Sequence, residues 1–197
     1  MQDSIKAGAD IVTFSGDKIL SGPQCGVIIG KKKYIDAIKH NPLARALRCD
    51  KLTYAALEAT LKLYLDEDSL QDRHPVLQLL TVPEKTMTSR SRTFKRHLKK
   101  DLEGRCEIRT ESGYSQLGSG SLPAQYIPTK VIALKPIHIS AEECAAKLRE
   151  NDPPIFTRNA DNEVLLDLRT IQGNEKKTIE QAIRTIFLGE EISNNQA

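Results

Sequence analysis

Ile11-Val-Thr-Phe-Ser-Gly-Asp-Lys18, followed by Leu20-Ser-Gly-Pro-Gln-Cys-Gly26 and Val27-Ile-Ile29, decides how this 197-residue chain is read. Ile11 to Phe14 and Gly26 to Gly30 are β-prone, short and bounded by glycine and proline, which predicts two buried strands. Between them a tight Ser-Gly-Asp turn ends in a single lysine. Most lysines in glycine-containing loops are simply solvated. A lysine held at the end of a buried strand is different, because burial and nearby cations lower its pKa and free the lone pair for imine formation. Ser15, three residues earlier, could offer its hydroxyl to a phosphate on the same ligand. Ser-x-x-Lys alone is common and carries little weight.

Outward from this stretch, Lys31 to His40 predicts a short helix with Tyr34, Ile35 and Ile38 on one face, stopped near Pro42. A loop with Arg45 and Arg48 follows. Asp50 then suits the N-cap of a helix running to Leu65, apolar on more than one face, as a helix between two domains would be. After His74-Pro75 the pattern changes. Thr81-Val-Pro-Glu84 predicts a capping box, and the helix it opens carries Met87, Phe94, Leu98 and Leu102 as one apolar stripe. That helix is very basic, with Lys85, Arg90, Arg92, Lys95, Arg96, His97, Lys99 and Lys100. It reads either as a solvated face or as a contact for RNA phosphates. Strands are expected at Cys106–Thr110, Lys130–Leu134, Pro153–Phe156 and Val164–Leu168. A helix capped by Ser140 and another after Gly173-Asn174, with Ile179, Ala182, Ile183, Ile186 and Phe187 inward, complete an α+β domain whose antiparallel sheet is covered on one face.

Bulk properties narrow the function classes. At 39% hydrophobic and 28% charged residues the composition is that of a globular protein. No apolar run approaches a membrane span and the N-terminal residues lack a signal-like apolar region, so a cytoplasmic location is expected. Cys25, Cys49, Cys106 and Cys144 are scattered without metal-ligand spacing and read as small buried apolar residues; no metal is expected. A net charge of +3 is too small by itself to argue for nucleic acid, so the location of the charge matters more. Gly118-Ser-Gly-Ser121 lacks the following Lys-Ser/Thr of a phosphate-binding loop and reads as a turn. Arg45 and Arg48, at i and i+3, would share a face if helical and suit a small oxyanion, or equally acids on a solvated surface.

Several strings together carry more. Ala7-Gly-Ala-Asp10, Thr13-Phe-Ser-Gly-Asp-Lys18, Gly22-Pro-Gln24, Arg45-Ala-Leu-Arg48, Asp50-Lys-Leu-Thr53, Ala56-Leu-Glu-Ala59, Gly118-Ser-Gly-Ser-Leu-Pro123, Pro153-Pro-Ile-Phe-Thr-Arg158 and Leu165-Leu-Asp-Leu-Arg169 occur in this order. They resemble the bacterial L-seryl-tRNA(Sec) selenium transferases, the selenocysteine synthases, across nearly the whole chain. The resemblance implies an α/β chain: the C-terminal part of a fold-type-I pyridoxal-phosphate transferase, with the end of its large domain at residues 1–50. A connecting helix at 51–74, a small α+β domain at 75–190 and a frayed tail at 191–197 complete it. It implies Lys18 as the cofactor lysine and base for the α-proton, Ser15 as a cofactor contact, and Arg45 and Arg48 as ligands of the anionic selenium donor. The reaction implied is β-elimination of the seryl hydroxyl on seryl-tRNA(Sec), then addition of selenium from selenophosphate, in a homo-oligomer.

The family's chains are more than twice as long. The tRNA-recognising domain and most of the large domain would lie upstream of Met1, so the chain alone is expected to bind the cofactor poorly and not to turn over. Two other readings stay open: a pyridoxal-phosphate enzyme of the same fold acting on a free amino acid, and a non-catalytic RNA-binding or assembly remnant. Arg158 and Arg169 suit either a substrate carboxylate or a structural salt bridge.

Overall fold

The structure, a computed structural model, describes residues 2–115 and 126–189. The Gly118–Ser121 turn and the tail beyond residue 189 lie outside the described residues. The chain divides into two compact units, Met1–Gln78 and Leu79–Ala197.

The first unit is built around one hairpin. Helix α1 (Gln2–Lys6) leads into β1 (Ile11–Ser15), which pairs antiparallel with β2 (Gly26–Gly30), Ser15 opposite Gly26 and Ile11 opposite Gly30. Gly30 is required by close approach: a Cβ there would sit 2.4 Å from the Asp10 carbonyl oxygen. Helices α2 (Lys32–His40), α3 (Pro42–Ala46), α4 (Lys51–Leu63) and α5 (Glu67–Arg73) follow, and α6 (Pro75–Leu80) runs across the division. The half-buried Tyr34, Ile35 and Ile38 give α2 the inward face its spacing predicts. Asp50 caps α4 as expected, its carboxylate accepting from the Thr53 N–H at 2.8 Å. The predicted burial of β1 and β2 does not hold. Neither strand has a buried residue, and only Val12, Phe14 and Val27 reach half-burial. A two-stranded ribbon has no neighbouring strand on either side, so β-rich composition alone cannot bury it. The loop expected around Arg45 is the short helix α3, because Asn41 accepts from the Leu43 N–H at 3.0 Å and Pro42 occupies the first turn.

The second unit holds the core. Helix α7 (Glu84–Lys99), strands β3 (Cys106–Ser115) and β4 (Ile127–Pro136), helix α8 (Ala141–Arg149), strands β5 (Arg158–Ala160) and β6 (Glu163–Asp167) and helix α9 (Glu175–Leu188) form a four-stranded antiparallel sheet, order β3-β4-β6-β5, with helices on one face. Ile132 and Leu134 of β4, Val164 and Leu166 of β6, Met87, Phe94 and Leu98 of α7, Leu148 of α8 and Ile183 of α9 make one continuous cluster. Along β4 the intervening Val131 and Ala133 face the other way and are also buried. Arg109 sits opposite Ala133 and pairs with Glu163 of β6, so its stem crosses β4.

Two predicted boundaries move, each because of proline. Helix α7 begins at Glu84 with Pro83 as its N-cap and no side-chain cap, not at Thr81. A residue before proline is pushed out of the helical region, so Val82 cannot open a helix. Pro153–Phe156 is not a strand: two prolines have no N–H for a ladder, and pairing begins only at Arg158. That edge hairpin is set by Asp161 and Asn162, both at positive φ (52° and 59°), a two-residue turn that such side chains tolerate.

Candidate functional site

The loop after β1 is tied down by backbone bonds that its sequence permits. The Gly16 N–H donates to the Cys25 carbonyl and the Gly22 N–H to the Gly16 carbonyl, both at 2.8 Å. The Ser21 N–H donates to the Lys18 carbonyl at 2.9 Å, closing a turn around the lysine, with Ser21 at φ 59°. A Cβ on Gly16 would meet Cys25 Sγ at 2.5 Å and the Pro23 carbonyl at 2.6 Å, so only glycine lets the two ends of the loop touch.

Leu20 is the loop's buried anchor. Its carbonyl accepts from His74 Nε2 at 3.2 Å, and the Tyr64 hydroxyl lies 3.0 Å from that nitrogen and 3.5 Å from the same carbonyl. The Leu77 N–H donates to His74 Nδ1 at 3.2 Å. Nδ1 is therefore an acceptor, and the proton belongs on Nε2, pointing at Leu20. His74 is 1% exposed and sits edge-on to the Tyr64 ring. Burial raises the Tyr64 pKa, so its hydroxyl stays protonated. The sequence offers no local cue to this role, because the partners stand 54 residues apart.

Lys18 itself is exposed, not held in a buried strand end, and Ser15 is exposed beside it. Neither side chain has a hydrogen-bond or ion-pair partner among the described residues. Lys18 thus presents its amine from a fixed backbone at the end of β1, with the Ser15 hydroxyl on the same strand terminus.

Arg45 and Arg48 line one open cavity of about 1230 Å³. Cys25 and Gly26 at the far end of the lysine loop share that lining, as do Cys49, Thr53 and Tyr54; Lys18 and Ser15 do not. Both arginines are exposed and have no carboxylate partner among the described residues. Arg45 belongs to α3, whereas Arg48 lies beyond its end, so the cavity wall brings them together and not a shared helical face. Cys25 and Cys49 are half-buried on this wall, unlike the buried thiols expected. Cys106 and Cys144 do conform; burial pushes their pKa values up to about 12 and about 11, which leaves them as inert thiols.

Arg169, in the second unit, is 2% exposed and structural. Its guanidinium donates to the carbonyls of Leu79 (3.1 Å), Val82 (3.0 Å) and Pro128 (2.8 Å), and its Nε to Ser115 Oγ (2.8 Å). Ser115 in turn donates to Asp167, which also accepts from Thr129 and from the Arg169 N–H. Desolvation lowers the Arg169 pKa and Asp167 opposes that shift. With Nε, Nη1 and Nη2 each bonded within the fold and the side chain buried, Arg169 is committed to holding the second unit together. Arg158 is exposed on the edge strand β5. Among the described residues no group of three or more His, Cys, Asp or Glu could hold a metal, and no helix is long and apolar enough to cross a membrane.

This α/β architecture, with a lysine-bearing loop in one unit and a helix-covered antiparallel sheet in the other, recurs within a longer solved structure. A solved D-glucosaminate-6-phosphate ammonia-lyase superposes with a TM-score of 0.59 over 93% of this chain and 45% of its own, at 23% identity. The sequence profile of the family described as L-seryl-tRNA selenium transferase matches residues 1–172, and the chain belongs to that family. L-seryl-tRNA(Sec) selenium transferases of Alkaliphilus metalliredigens (strain QYMF) and Alkaliphilus oremlandii (strain OhILAs) are 50% and 45% identical over 94% and 95% of this chain. The chain spans about 40% of the length of these relatives.

Proposed function

We propose that this chain forms part of a pyridoxal-phosphate enzyme that converts seryl-tRNA(Sec) to selenocysteinyl-tRNA(Sec), taking selenium from selenophosphate and working as a homo-oligomer. Family membership supports the tRNA-linked reaction. The single observation that supports the chemistry is a lysine with no side-chain partner among the described residues, on a loop whose backbone is closed at Gly16, Lys18 and Leu20.

The residues present fit the cofactor. Lys18 Nζ is free to bond its aldehyde carbon, and Ser15 Oγ, on the same strand end, is free to donate to its phosphate. When bound, the cofactor supplies the electron sink for bond cleavage at the α-carbon. Once the seryl amine has displaced Lys18 Nζ from the aldehyde carbon, the freed amine would take the proton from the seryl Cα, its position set by the closed backbone of the loop. Arg45 and Arg48 each present a planar fork to the oxygens of the selenium donor on the cavity wall.

The test joins this chain to the upstream portion of the Alkaliphilus metalliredigens relative, then adds pyridoxal phosphate and borohydride. Mass spectrometry is expected to find the pyridoxyl group on the peptide bearing Lys18, and Lys18→Ala to abolish it. Attachment to a different lysine, or none in a folded fusion, would overturn the assignment. In the same fusion Arg45→Ala and Arg48→Ala should each raise the KM for selenophosphate about 10- to 100-fold, the cost of one charged hydrogen-bonding group.

A further inference from the structure

Helix α7 has two faces with different occupations. Met87, Ser91, Phe94 and Leu98 are all 0% exposed and pack on the sheet. Lys85, Arg92, Arg96 and Lys99 are all exposed. At 100° per residue these four cations fall within about 60° of one another, roughly 140° from the buried stripe, along about 21 Å of helix. Six Lys and Arg stand against the single Glu84 within Glu84–Lys99, an excess larger than the +3 of the whole chain. The chain's positive charge is therefore concentrated here. None of the four has a carboxylate partner among the described residues, whereas the neighbouring His97 is taken by Glu180 at 3.0 Å.

Helix stability does not account for the pattern. Lys85 stands in the first turn, where the helix dipole disfavours a cation. Arg92, Arg96 and Lys99 repel one another at i,i+4 and i,i+3. A polyanion laid along the face would offset both penalties. At the C-terminal end Arg96, Lys99 and Lys100 line a recess of about 570 Å³, shared with Glu103 and Glu107, which gives the stripe a concave end.

We propose that this face of α7 is a contact surface for the phosphodiester backbone of a folded RNA. The choice of RNA over other polyanions rests on the tRNA-linked reaction proposed above. The stripe has no aromatic side chain, so the contact reads phosphate and not base.

Binding of the 197-residue chain to a tRNA transcript, followed by filter retention between 50 and 200 mM KCl, tests this. Four phosphate contacts weaken affinity on the order of 100-fold over that range, and Lys85→Gln/Arg92→Gln/Arg96→Gln/Lys99→Gln should reduce the magnitude of the salt slope by about 3. Lys85→Arg/Arg92→Lys/Arg96→Lys/Lys99→Arg should keep the wild-type slope. A control of equal charge change, Lys135→Gln/Lys147→Gln/Arg149→Gln/Lys177→Gln, should also keep it. Equal loss in the control, an unchanged slope in the α7 variant, displacement of RNA by poly-glutamate at matched charge, or no tRNA binding at 50 mM KCl would each overturn the proposal. Lys18→Ala should bind RNA normally, so this result and the cofactor-trapping result fail independently.

Discussion

His74 shows what a single buried side chain does for the loop that presents Lys18. Its ring accepts from the Leu77 N–H and donates to the Leu20 carbonyl, so it joins α6 to the far side of the lysine turn. Replacing it by alanine strips both backbone groups of their partner and opens a cavity beneath Leu20. A loss of about 1–3 kcal/mol is expected from the unpaired groups alone, measured as a drop in the urea midpoint. His74→Phe keeps the volume and loses both bonds, so it should recover little of that loss; full recovery would mean packing, not hydrogen bonding, is what His74 supplies. Lys18, Ser15, Arg45 and Arg48 could be proposed from the sequence because each lies in a short local string. The roles of His74 and Arg169 could not. Arg169 binds carbonyls 87 and 90 residues upstream in the chain, and no spacing rule connects positions so far apart.

Element ends were legible where a side-chain cap formed as its local sequence implied, and not at Thr81, where the adjoining proline overrode the capping signal. Ser140 caps α8 by accepting from the Glu143 N–H at 3.0 Å, as its tetrapeptide implied. Strand β5 was misplaced because the apolar Ile155-Phe156 outweighed the Asp161-Asn162 turn, which in fact sets the register. The cap of α4 carries a measurable pH dependence. The Thr53 backbone N–H holds the Asp50 carboxyl below its ordinary value of 3.8. A depressed carboxylate favours the fold above its unfolded pKa, so the cap is intact at neutral pH. Its contribution falls as pH drops below about 4 and is gone beneath the lowered folded value. The Thr53 amide resonance, followed by NMR from pH 6 to 2, should shift with that titration. Asp50→Asn keeps an acceptor without a charge, so its Thr53 resonance should stay flat; a titration that persists in Asp50→Asn would assign the shift to another group.

The molecule as a whole is unevenly packed. Every member of the continuous apolar cluster belongs to the second unit, whereas Leu20 is the one hydrophobic residue of the first unit buried among those described. Leu43, Leu47, Leu52 and Leu65 of the first unit are 66–84% exposed. Helix amphipathicity and β-propensity mark residues suited to burial. They do not report whether a covering layer is present, which is why β1 and β2 looked like core in the sequence. Local stability follows buried apolar contact, so the two units should separate in hydrogen exchange. Amides of β4 and α8 are expected to exchange at least about 100-fold more slowly than those of β1, β2 and α4, a difference of roughly 3 kcal/mol in opening free energy. Peptide-resolved exchange mass spectrometry on the 197-residue chain measures this directly. In the fusion with the upstream portion of the Alkaliphilus metalliredigens relative, the β1, β2 and α4 amides should slow while those of β4 and α8 do not change. Equal protection of both units in the chain alone would mean the hairpin draws its stability from its own backbone bonds, and the exposed leucines would then need another explanation.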